Sequence, residues 1–160
     1  MKQAKKHFIS LFKQAAELTN IKLSIIEEQD NYFLMDVHGI TFECILIQTH
    51  EERVVLRTFI DALVANVFND SMDEVFKLIN RFNLTEGGVY NLVAIENEEE
   101  QYMSIALKTI DIVMLKNLAD DEKVKEYHIN LLADILNYVN CHSLIKEHYL
   151  DKIEEYSEFN

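Results

Sequence analysis

The sequence contains no proline and no tryptophan, only three glycines and two cysteines, and little more than half as many basic as acidic side chains. Each scarcity excludes something. With glycine confined to Gly39, Gly87 and Gly88, the chain offers no flexible linker, no low-complexity segment and no glycine-rich loop to cradle a phosphate. The Gly87-Gly88 pair follows a helical pattern instead of joining a strand to a helix, so a nucleotide-binding turn is unsupported. Cys44 and Cys141 lie in an apolar strand-like run and a late helical stretch, too few and too differently placed for a disulfide framework. Both are expected to be reduced thiols of a cytoplasmic protein.

No run approaches the roughly 18 apolar residues of a membrane span. Behind the basic segment Met1–Lys6, only Phe8-Ile9 and Leu11-Phe12 precede Lys13, too little for the apolar stretch of a signal peptide. The shortage of basic charge, 15 Lys and Arg against 28 Asp and Glu, leaves a net charge of −13. That field repels phosphate backbones and anionic headgroups, so nucleic acid and membrane are poor partners and a basic or amphipathic polypeptide is a better one.

What remains suits one domain: 160 residues, 49% hydrophobic and 27% charged, with no internal repeat. Phe8, Leu11, Phe12, Ala15 and Leu18 keep helical spacing, with Lys5, Lys6, Lys13, Gln14 and Glu17 on the other side, which predicts a helix over 3–19. The period then drops to two. Short polar links separate strands at 21–25, 32–37, 40–48 and 53–59, with His38-Gly39 a tight turn, and such links imply an antiparallel meander. The segment 59–68 is expected to be a short helix or buried loop, since Ile60, Leu63, Val64 and Val67 fit helical spacing.

Ser71 and Glu74 form a capping box for a second helix over 72–83, with Met72, Val75, Phe76, Ile79 and Phe82 as its apolar face. Strands follow at 89–96 and 101–113, joined through the acidic tip Asn97–Glu100. Asp120-Asp121 then caps a last helix whose stripe is Leu131, Leu132, Ile135, Leu136 and Val139. Residues 143–160 continue as a helical extension. The expected fold is α+β: a mainly antiparallel sheet packed against helices, ordered helix, three or four strands, helix, two strands, helix, in a single domain over 1–160.

Signatures of chemistry are weak. A cysteine nucleophile at Cys44 would need His38 or His50 beside it, and nothing local brings them together. Cys141, His142, His148 and His128 lack metal-ligand spacing and read as ordinary surface histidines of a helix with a thiol among them. The carboxylates at 96–100 and 120–122 solvate surfaces, and only Asp36 and Glu43 lie in apolar strands. No catalytic, cofactor or metal residue is assigned.

The strands are more informative, because they carry apolar residues on both faces. Phe33, Met35, Val37, Phe42, Cys44, Leu46, Val54, Leu56, Met103, Ile105 and Leu107 suit burial under the helices. Tyr32, Leu34, Ile45, Ile47, Val55, Phe59, Tyr90, Leu92 and Tyr102 form an opposite set, a candidate dimer or partner face unless the last helix and tail cover it.

The order of elements, with the helix ending Leu78-Ile79-Asn80-Arg81-Phe82-Asn83 and leading into two strands and a closing helix, resembles the YbjN family over about residues 5–140. The resemblance implies the fold of type III secretion chaperones: small, acidic, cytoplasmic bacterial homodimers that hold unfolded segments of effector proteins. YbjN-like proteins are described as candidate regulators of sensory transduction, and the resemblance carries no catalytic residue. The apolar 59–68 segment and the 143–160 extension depart from the pattern. The expected function is therefore a non-catalytic protein-binding module, chaperone-like or regulatory, with a small enzyme of scattered site residues as the alternative.

Overall fold

The computed structural model describes residues 1–67, 72–85, 90–97 and 102–139. The Ser71 cap, Gly87-Gly88, Glu98–Glu100, Cys141, His142, His148 and the 143–160 extension lie outside the described residues.

Helix α1 spans Lys2–Thr19 and buries Phe8, Leu11, Phe12 and Ala15 as expected. It ends because Asn20 turns left-handed, at φ 55° and ψ 38°. Ile21 then donates its N–H to Ala16 O at 2.9 Å and Asn20 to Glu17 O at 3.2 Å, a Schellman closure with asparagine in the glycine's place. Two assignments within the helix are corrected. At about 100° per residue, Leu18 lies outside the arc spanned by Phe8, Phe12, Ala15 and Ala16 and is exposed, whereas Lys5 lies inside it and is buried. The Lys5 ammonium is matched by Gln29 O and, at 3.5 Å, by the Glu28 carboxylate.

The meander consists of β1 (Leu23–Glu28), β2 (Tyr32–Val37), β3 (Ile40–His50) and β4 (Arg53–Val67), each antiparallel to the next. The β2–β3 link is a two-residue turn with His38 at φ 54° and Gly39 at φ 81°. Positive φ at both positions is the type I′ geometry that matches strand twist. Asp36 secures the turn, its Oδ1 accepting the Gly39 N–H at 3.2 Å.

Past residue 59 the structure overturns the helix-or-loop expectation: β4 runs on to Val67. Its far half pairs with β6, with register irregularities between Ile60 and Ala62, Ala62 and Val64, and Val64 and Val67. Bulges break the two-residue period, so the apolar spacing of this segment imitates a helix while its backbone bonds to a neighbouring strand.

Helix α2 covers Met72–Thr85, burying Ile79 but leaving Phe76 exposed, contrary to its place in the expected apolar face. Strand β5 is Tyr90–Asn97. The strand expected at 101–113 is two: β6 (Tyr102–Thr109) pairs with the far half of β4, and β7 (Ile112–Leu115) with its near half. The chain steps from one to the other at Ile110-Asp111. Among the described residues the sheet thus has seven strands in the order β1-β2-β3-β4-β6-β5, with β7 on β4.

A 3-10 turn, Lys116–Leu118, leads to α3 (Glu122–Val139), whose first turn is capped by Asp121. Its Oδ1 accepts N–H groups from Lys123 at 3.0 Å and Val124 at 3.1 Å. Leu132, Ala133, Ile135 and Leu136 of α3 share one core with α1, with Ile79 and with the inward side of the sheet. There the Phe12 and Phe33 rings meet edge to face, centroids 6.2 Å apart. The fold is α+β, an antiparallel sheet with, among the described residues, three α-helices.

Candidate protein-binding face

The register decides which side chains share the outer side of the sheet. Directly paired residues of antiparallel strands project to the same face. The pairings Tyr32–Ile45–Arg57, Leu34–Glu43–Phe59–Lys108 and Ile47–Val55–Val113 therefore form three parallel rows. Six of the nine residues expected on this face lie in those rows. Tyr32, Leu34, Ile45, Ile47 and Phe59 are half-buried, and Val55, between Ile47 and Val113, is 6% exposed.

Leu92 is a correction. The pairings Met35–Phe42, Phe42–Ile60, Ile60–Leu107 and Leu107–Leu92 carry it to the core side, where it is 1% exposed. Counting alternation along β5 alone cannot find this, because the phase is set through four strand pairings. Tyr90 and Tyr102 occupy β5 and β6, but their side chains are outside the described residues. Sequence reasoning missed Val113 and Leu115, which are 36% and 41% exposed. Their signal was present in the alternation of Ile112 and Met114, both buried, with Val113 and Leu115.

Polar groups mark the middle of the face. Arg57 sits where the partner of β4 changes from β7 to β6, and it grips Asp111 through Nε to Oδ1 at 3.1 Å and Nη2 to Oδ2 at 2.8 Å. Lys108 adds Nζ to Oδ1 at 3.0 Å. These bonds, Arg57's first, hold the Asp111 carboxyl below its ordinary range. The Tyr32 phenol is pushed up by desolvation and then by the Glu43 carboxylate, so it remains a donor at neutral pH.

The residues weighed for chemistry are dispersed. Asp36 holds the Gly39 turn and pairs with Thr41, Glu43 is exposed opposite Leu34, and His38 sits in the turn itself. Cys44 is fully buried, 3.7 Å from the Thr58 hydroxyl, and burial drives its thiol far up in pKa, against nucleophilic use.

His128 is not a surface histidine: it is 5% exposed on the α3 side facing the core, and among the described residues its Nδ1 has no hydrogen-bond partner. Burial first, then the neighbouring His7, lowers its pKa, while a bond to the Val113 carbonyl opposes this. His7 lines a recess of about 360 Å³ with Met1, Gln3, Ala4, Met114 and Lys116, and is itself lowered by burial and Lys125.

Among the described residues, no cluster of three or more histidine, cysteine or acidic side chains could hold a metal ion. No helix among them is long and apolar enough to cross a membrane. No family model matches the chain, and no curated protein matches it.

Proposed function

We propose that this protein is a non-catalytic protein-binding module that pairs with a second copy through the outer face of β2, β3, β4 and β7, in the manner of the chaperone-like or regulatory proteins it resembles. The single observation that carries this reading is the continuity of apolar side chains, Tyr32, Leu34, Ile45, Ile47, Val55, Phe59, Val113 and Leu115, around a fixed ion cluster. Contiguous apolar area on a sheet face is the usual signature of contact with another chain.

Both charge signs sit on this face, Arg57 and Lys108 beside Asp111 and Glu43. A two-fold axis can therefore set each sign against the other. With −13 on each chain the copies repel at long range, so the contact is apolar at its centre and added salt tightens it. Retention of a basic polypeptide client on the assembled module is the activity the acidic field favours.

Sedimentation tests the reading. The unsubstituted chain is expected to dimerise at concentrations on the order of tens of micromolar, and Ile45→Lys with Ile47→Lys to give a folded monomer. A monomeric parent, or a double variant that unfolds instead of dissociating, would refute it. Co-purification with identification of attached polypeptides then separates a chaperone, which retains recurrent clients, from a self-pairing regulator.

A further inference from the structure

The segment Leu78–Asn83 ends in a residue with an unusual task. Asn83 of α2 reaches the main chain of Leu92 in β5 with both ends of its carboxamide. Nδ2 donates to Leu92 O at 3.0 Å, and Leu92 N–H donates to Oδ1 at 2.8 Å. That pair of bonds is what a residue of an adjoining strand would offer.

β5 is the last strand of the sheet order, so among the described residues one of its edges has no strand beside it. An amide N–H spent on Asn83 is not available to β6, which puts the Leu92–Leu107 pair at a position of the ladder whose β5 groups turn outward. By alternation, Ala94, paired with Ile105, turns its N–H outward too. Such a row of outward groups is a template for another strand.

We propose that the outer edge of β5 is a strand-acceptor site held shut by Asn83, and that the occupant it excludes is β5 of a second copy. Two β5 strands related by a two-fold axis run antiparallel and return to each other the same outward pairs, so the edge is self-complementary. The exposed Ile95 would gain apolar cover in that pairing. By closing this route, Asn83 leaves the sheet face as the surface for association. The closure itself does not depend on the face being used.

The full chain with Asn83→Leu tests this, each result read against the parent's own state. The variant is expected to self-associate beyond the parent, and, at dilution where it is still monomeric, hydrogen exchange at the Leu92 amide to speed up roughly tenfold. Adding Ala94→Pro removes an outward N–H without touching the β5–β6 ladder and should return the variant to the parent's state. Unchanged association overturns the proposal, whatever the Leu92 exchange does. So does association that persists with Ala94→Pro, since it would arise elsewhere than this edge. Asn83→Asp, which keeps the acceptor and loses the donor, should give the same association more weakly; it decides the matter if Asn83→Leu does not fold, and no gain in association overturns the proposal. Ile45→Lys with Ile47→Lys must leave the Asn83→Leu gain in place, which separates this edge from the face.

Discussion

Arg57 and Asp111, 54 residues apart in sequence, close a two-pronged ion pair across the junction where β4 exchanges β7 for β6. The pair ties the Ile110-Asp111 step of the chain to the strand it would otherwise leave. Both side chains keep partial solvent access, which limits the energy such a pair contributes.

Asp111→Asn should therefore lower stability by about 1 kcal/mol in urea denaturation. Because the Asp111 carboxyl is held below its ordinary value of 3.8, its contribution is present above that pH and lost as pH falls below it. The variant should lose less stability than the parent over that acidic range. An equal loss would show that the pair is not formed in solution.

His7 and His128 predict a second pH dependence. Both are lowered from 6.5, so both stay neutral in the fold where the unfolded chain would take up protons. Their contribution to stability is intact above 6.5 and declines as pH drops from there toward their folded values. Denaturation measured at about pH 7.5 and about pH 5.5 should show the loss, and His128→Gln should reduce it. The same loss in the variant would remove His128 as its source.

The edge-to-face contact of Phe12 with Phe33 ties α1 to the sheet. Phe12→Ala should cost about 3–5 kcal/mol, measured by chemical unfolding, because a fully buried ring leaves a cavity that its strand neighbours cannot fill. A cost below about 1 kcal/mol would mean that the helix does not dock as described.

Cys44 should be inert. In a Cys141→Ser background, a thiol reagent should label Cys44 only as fast as the chain unfolds, since burial disfavours its thiolate. Prompt labelling of the folded protein would contradict its burial.

Much of the fold was legible because it is local. The alternation of Phe33, Met35 and Val37, the two-residue His38-Gly39 turn and the Asp121 cap each follow from residues a few positions apart. Six members of the candidate face, from Tyr32 to Phe59, were legible for the same reason: short turns carry the phase of one strand to the next without ambiguity.

By itself the sequence determined the α+β class, the meander, the limits of α1 and an inner and an outer side for β2, β3 and the first half of β4. Tertiary structure alone decided the rest. Leu92 is inward because Leu107 and Ile60 set its phase, β4 continues because β6 takes its far half, and Lys5 is buried because Gln29 and Glu28 arrive to receive its charge. His128 is buried where His7 and Val113 meet it from α1 and β7. In each case the deciding hydrogen bond, charge or packing partner comes from a segment far along the chain, and only folding brings the two together.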